Sequence, residues 1–210
     1  MAKQRESTFK NMLIVLFLVS AAAASALAFV YQKTKAPIAK AKLEKKKKAI
    51  KNVVNDFDNN PIADMFKIPT ENGDSVECYP AKKDGKIVGY AIKTYSKKGF
   101  GGLITVMIGF DPDGHIHKTA VLDQHETPGL GDKMQRSKSN FSNQFDNMDL
   151  PEIPDKDHDG IITEVKKDGG TVDAITAATI SSRAFCDATE RAYNAFKKIN
   201  KNRKYYIRKR

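Results

Sequence analysis

The rhythm of apolar and polar positions changes several times along the chain. From Met12 to Val30 the residues are apolar or small, broken only by Ser20 and Ser25. A run of that length can cross the roughly 30 Å hydrocarbon layer, and it predicts a transmembrane helix over 12–31. A cleaved signal peptide competes, because Ala26-Leu27-Ala28 has the form of a cleavage site. Signal cores run about 7–15 residues, so the longer run here favours a retained anchor. The small residues of its second half, Ser20 to Ala28, suit either a close-packed helix partner or a plain lipid-facing anchor. Beyond it, Leu43, Ile50, Val53, Val54 and Phe57 form an apolar stripe among lysines, which predicts a helix continuing from the first over 32–58.

Residues 59–75 show no period and read as turn-rich. Alternation then takes over in Glu77–Pro80, Ile87–Tyr95, Leu103–Phe110 and Ile116–Leu122, with Asp84-Gly85 and Asp113-Gly114 as hairpin turns. Phe141 and Phe145 suggest a short helix, and Ile161–Val165 a short strand. Phe185, Ala188, Ala192, Phe196 and Ile199 recur at steps of three and four, one face of a closing helix capped by Ser181 or Ser182. The expected class is α+β: a twisted antiparallel sheet packed by helices, preceded by one N-terminal transmembrane helix. The expected units are a tail (1–11), the membrane helix (12–31), a basic juxtamembrane helix (32–58) and one domain (59–210).

Charge narrows the partners. The 210 residues carry a formal +11, with 36 Lys and Arg against 25 Asp and Glu. The basic residues gather beside the membrane segment and at the C-terminus, which favours anionic lipid or a protein partner. Zinc-finger spacing and RNA-binding aromatic motifs are missing, so nucleic acid is not an expected partner. Lys45 to Lys48 form either a solvated face or a contact with lipid headgroups, worth about 1 kcal/mol per residue. Three basic residues precede the span and nine lie between Lys33 and Lys51. Taken alone, that asymmetry places the large domain in the cytoplasm, although large domains translocate largely regardless of charge.

Several chemistries find no footing. Cys78 and Cys186 make no CxxC and no metal quartet, and read as two buried thiols, with a disulfide as the alternative. Asp155, Asp157, Asp159 and Gly160 imitate a calcium loop, but Lys166 stands where the bidentate Glu belongs, so an Asp-rich turn is the better reading. The four histidines lack ligand spacing, and no metal site is expected. Nucleophile elbow, Walker loop and dinucleotide fingerprint are all missing, so no catalytic residue is assigned.

One stretch concentrates hydroxyls and small residues: Asp173-Ala-Ile-Thr-Ala-Ala-Thr-Ile-Ser-Ser182, with Thr179 at its centre. It lies where a helix should start, so it is either an ordinary capped terminus or a place for an anion. A second stretch, Glu126-Thr-Pro-Gly-Leu-Gly131, is a Pro-Gly loop whose glycines allow close backbone approach. Together, in this order and about fifty residues apart, the two resemble the paired signatures of the FMN-binding domain family. That family is shared by the G subunit of the Rnf electron-transport complex and the C subunit of the sodium-translocating NADH:quinone reductase. Gly99 to Gly102 is similar to the family's glycine-rich turn.

The resemblance implies FMN joined to Thr179 through a phosphoester. It implies Asp173, Thr176, Ala178 and Ser182 at the phosphate end, and Glu126, Thr127, Gly129, Leu130 and Gly131 along the ring. Ala177 stands where the family carries Gly, a departure that matters if φ there is positive. Also implied are a flavin domain outside the cytoplasmic membrane and electron transfer in an ion-translocating ferredoxin/NAD oxidoreductase. Iron–sulfur and flavin subunits are the implied partners, with an FAD:protein FMN transferase for maturation. The quinone-reductase C subunit, a free-standing flavin reductase and a flavin-free scaffold are the alternatives.

Overall fold

The computed structural model describes residues 8–70, 73–148 and 164–201. Two compact units divide it, the first ending at Glu44 and the second starting at Lys45.

Helix α1, Phe9–Val53, begins in the first unit and ends in the second. Its apolar part has a mean hydropathy of 2.6 over 18 residues and is exposed throughout, long and apolar enough to cross a membrane. Two hydroxyls within and just after that part turn back on the helix: Ser25 Oγ donates to the Ala21 carbonyl (2.7 Å) and Thr34 Oγ1 to that of Val30 (2.9 Å). No polar hydrogen at these positions then needs water. Pro37 sits inside the helix without breaking it. The helix ends at Val53, five residues short of the predicted 58.

The second unit is built on five strands: β1 (Phe66–Pro69), β2 (Ser75–Lys83), β3 (Lys86–Gly99), β4 (Gly102–Phe110) and β5 (Ile116–Asp123). They pair in sequence order, every pair antiparallel. The α+β expectation is met. The β2–β3 turn is the two-residue Asp84-Gly85, both with positive φ (51° and 75°), as such tight hairpins require. Strand β1 lies in the stretch the pattern left as turns; at four residues it is too short for alternation to register.

Alternation sorts side chains to two faces. Val76, Cys78, Tyr90, Ile92, Val106, Ile108 and Phe110 face one core, while Tyr79, Ala81, Ala91 and Met107 face the other. Helix α2, Thr179–Lys201, covers the first with Phe185, Ala188, Ala192, Phe196 and Ile199, the predicted face. Each large side chain buried there contributes about 1.5–3 kcal/mol. Ala49, Ile50 and Val53, at the end of α1, cover the second. Gly109 permits this, because a methyl there would overlap the Val53 carbonyl. Around the same core Glu77 accepts from Tyr79 and pairs with Lys46 and Lys93, each at 3.1 Å. Burial alone raises its pKa, but those three partners outweigh it and hold the carboxyl at about 2.

Cys78 and Cys186 are both buried thiols, and no disulfide joins them. Burial pushes Cys186 up to about 12 and Cys78 well above the ordinary range, so neither is a ready nucleophile. Phe141–Phe145 is a 3-10 turn rather than an α-helix, its phenyl rings packed on Phe185. Asp155, Asp157, Asp159, Gly160 and most of the strand predicted at 161–165 lie outside the described residues; Val165 pairs with Val172 in an isolated bridge.

Candidate functional site

Helix α2 starts at Thr179 itself, not after the serines. Ser181 and Ser182 therefore lie in its first turn, and both are buried. They do not cap the helix from outside. Ser182 Oγ accepts from the Ile175 N–H (2.9 Å) and donates to the Ala178 carbonyl (3.0 Å). That hydroxyl is spent on holding the turn that leads into the helix. The turn closes by an Ala178 N–H to Ile175 carbonyl bond of 2.9 Å, with Thr176 and Ala177 between. Ala177 has φ +61°. Such a four-residue turn asks for φ > 0 at its third position and is normally served by Gly or Asn.

Thr179 is half-buried, and its hydroxyl has no partner among the described residues. The first-turn N–H groups of a helix have no carbonyl behind them. A hydroxyl without a partner among the described residues and open N–H donors thus share one place. Asp173 is exposed: its carboxylate pairs with Lys166 at 2.8 Å, and Gln144 bonds its backbone on both sides (2.8 and 2.9 Å). Thr176 is exposed and Ala178 buried.

The Glu126–Gly131 loop reaches the same helix end through one side chain. Glu126 is only 5% exposed. One carboxylate oxygen accepts from Ser181 Oγ, and the other accepts from the Gly101 N–H (3.0 Å). Three segments distant in sequence are tied by that single group. Two glycines make room for it. A methyl on Gly131 would lie 2.5 Å from Glu126 Oε2, and one on Gly99 would lie 2.6 Å from Oε1. Farther along, Thr127 and Leu130 close a second turn (3.1 Å) with Gly129 at its third position, φ +78°. Asp132, 7% exposed, fixes it by accepting from the Gly129 N–H at 2.7 Å.

Around this network apolar side chains stand in the open. Phe100 is 70% exposed, Ile180 48% and Leu130 39%. Each is the chain neighbour of a residue touching Glu126: Gly101, Ser181 and Gly131. Leu103, also exposed, follows on β4. Sequence reasoning assigned Leu130 but passed over Phe100 and Ile180, because apolar residues inside a motif read as core. It also took Ser181 for a cap. The missed signal was an acid with no local partner, Glu126, beside glycines that could admit a distant hydroxyl.

Comparison with known proteins finds one matching family and several relatives. Residues 99–194 match the model of the FMN-binding domain. The chain is 38% identical over 139 residues to the G subunit of the ion-translocating oxidoreductase complex of Haemophilus influenzae strain PittEE, covering 65% of each chain. It is 33% identical over 184 residues to the G subunit of the complex of the same name in Yersinia pestis, covering 85% of this chain and 86% of that one. It is 29% identical over 197 residues to the G subunit of the sodium-translocating ferredoxin:NAD oxidoreductase complex of Acetobacterium woodii, covering 90% and 91%.

Proposed function

Since the chain belongs to the family of G subunits of ion-translocating oxidoreductase complexes, we propose that it carries electrons in such a complex through FMN attached to Thr179. The observation that supports this most is the meeting of the Glu126 loop and the Thr179 turn at one helix end, joined by the Ser181 to Glu126 bond. The residues present fit the group. Thr179 offers a hydroxyl with no partner among the described residues, and the first turn of α2 offers open N–H donors for a phosphate. Phe100, Leu130 and Ile180 offer exposed apolar surface for a flat ring.

Bound there, FMN supplies the redox chemistry, passing electrons singly or in pairs between other centres. The protein's part is attachment and placement. Attachment would draw on FAD held by a transferase: Thr179 Oγ would take the FMN phosphoryl group, the pyrophosphate P–O bond would break, AMP would leave with the bridging oxygen, and the hydroxyl proton would pass to a base of the transferase. A covalent tether makes occupancy independent of free flavin, which suits a domain on the extracytoplasmic side. The partners are the membrane and iron–sulfur or flavin subunits of the complex, with anionic headgroups as counter-charges for Lys45 and Lys48 of the basic run.

Intact-mass analysis of the chain co-produced with an FAD:protein FMN transferase tests the tether. The wild type gains one FMN phosphoryl adduct, mapped to Thr179, and shows flavin fluorescence on a denaturing gel. Thr179→Ala expresses and folds but shows neither. An unmodified wild type, or an adduct on another residue, defeats the proposal. Co-purification with other redox subunits after gentle solubilisation tests the carrier role; migration alone with flavin retained would favour a free-standing reductase.

A further inference from the structure

Beside the Thr179 turn is a recess of about 460 Å³, lined among others by Asp173, Ile175 and Thr176 on one side and Lys133, Asn140 and Phe141 on the other. It lies within the range of small-molecule sites. Lys133 is the one cation in that lining. It is half-buried, and no carboxylate pairs with it among the described residues. Other cations at or near α2 are paired. Lys166 is paired with Asp173 (2.8 Å), Arg183 with Asp168 (2.6 Å) and Lys98 with Asp187 (2.5 Å). The negative charge in the lining, that of Asp173, is thus already balanced, while the positive charge of Lys133 is not.

A lysine in the lining with no carboxylate partner among the described residues attracts an anion that enters the recess. Lys133 is delivered by the 3-10 turn Gly131–Met134, directly after the loop that binds Ser181 through Glu126. The loop that meets the start of α2 therefore also carries a cation to the recess beside the Thr179 turn.

We infer that Lys133 is the counter-charge of the phosphoryl group joined to Thr179, and that this recess takes the phosphate end of the flavin. The inference rests on the tether proposed above. A phosphodiester keeps one negative charge, and a lysine serves it as a point charge without demanding bidentate geometry. Asn140 and Thr176, both exposed, offer polar groups for the polyhydroxyl chain next to it. Lys133 here is a positioning residue: it holds the phosphate and takes no part in electron transfer.

The test compares the full-length wild type with Lys133→Gln, Lys133→Arg and, as a charge-matched control, Lys138→Gln, whose exposed lysine lies outside the recess lining. Each is incubated with FAD and the transferase, loading is followed by intact mass, and the phosphorus NMR resonance of the loaded protein is recorded. Lys133→Gln loads about tenfold more slowly and its resonance moves, while Lys133→Arg stays within about threefold of wild type. Lys138→Gln matches wild type in both, and all four melt alike. Lys133→Gln loading at the wild-type rate with an unmoved resonance overturns the assignment. If the wild type itself stays bare, the tether falls, and this inference falls with it.

Discussion

Two turns frame the candidate site, and they are built alike. In Thr127–Leu130 and in Ile175–Ala178 the first carbonyl accepts from the fourth N–H, at 3.1 and 2.9 Å, and the third residue has positive φ. The first turn gives that position to Gly129 and the second gives it to Ala177. A Cβ in the left-handed region costs about 1–2 kcal/mol. The first turn therefore holds its shape with one accessory bond, donated by the Gly129 N–H to the Asp132 carboxylate. The second is clamped twice by Ser182, which bonds both ends of the turn from inside the helix. Where composition does not favour a backbone shape, tertiary hydrogen bonds must enforce it. That difference can be broken at three points.

The largest effect is expected at the link between the turns. Glu126→Ala leaves the Gly101 N–H and the Ser181 hydroxyl without their buried acceptor, and it opens space beside Gly99 and Gly131. Loss of hydrogen bonds to a buried charged group costs about 3 kcal/mol or more. Denaturant unfolding of the solubilised chain should show a loss of that order, with the Thr179 segment becoming sensitive to protease. Glu126→Gln keeps shape and one acceptor, so about 1 kcal/mol is expected. Equal losses in the two variants would mean that the carboxylate charge, not the space it fills, joins the segments.

Next comes the clamp. Ser182→Ala strips the Ile175 N–H of its partner in a buried setting and frees the turn holding Ala177 to relax. About 1–2 kcal/mol is expected. The counterpart, Asp132→Asn, retains an acceptor for Gly129 and should lose less than about 1 kcal/mol. A larger loss from Asp132→Asn would reverse the comparison and show the first turn to be the strained one.

How much of this could be read from the chain alone follows the range of the forces involved. Sheet, α2 face and both Asp-Gly turns were legible, because alternation, helical period and turn chemistry are local. Strand β1 was not, since four residues carry too little pattern and its place depends on pairing with β2. The end of α1 was misplaced because Phe57 continues the apolar stripe, although its packing follows a bend and not another helical turn. The two motifs were visible as clusters of small and hydroxyl residues. Their contact was not, because a Glu126 to Ser181 bond spans 55 positions and no period announces it. By composition Ser181 or Ser182 reads as a cap, whereas the fold uses both as internal tethers.

The smallest effect is also the most direct reading of the contrast: exchange the third residues. Nothing lies within 4 Å of a methyl built on Gly129, and the Ala177 side chain is exposed, so packing drops out of both substitutions. What remains is backbone energy and unfolded-state entropy. Gly129→Ala introduces left-handed strain of about 1–2 kcal/mol and recovers about 0.5–1 from a stiffer unfolded chain, a net loss near 0.5–1 kcal/mol. Ala177→Gly runs the same balance backwards, a net gain of similar size. The two sites share no direct contact, so the double variant should fall within about 0.5 kcal/mol of wild type. Melting temperatures of the four chains, each with and without flavin loading, complete the cycle. If Ala177→Gly lowers the melting temperature instead of raising it, Ala177 does not hold a strained conformation in solution. The double clamp by Ser182 would then need another reason, such as setting the angle at which Thr179 presents its hydroxyl.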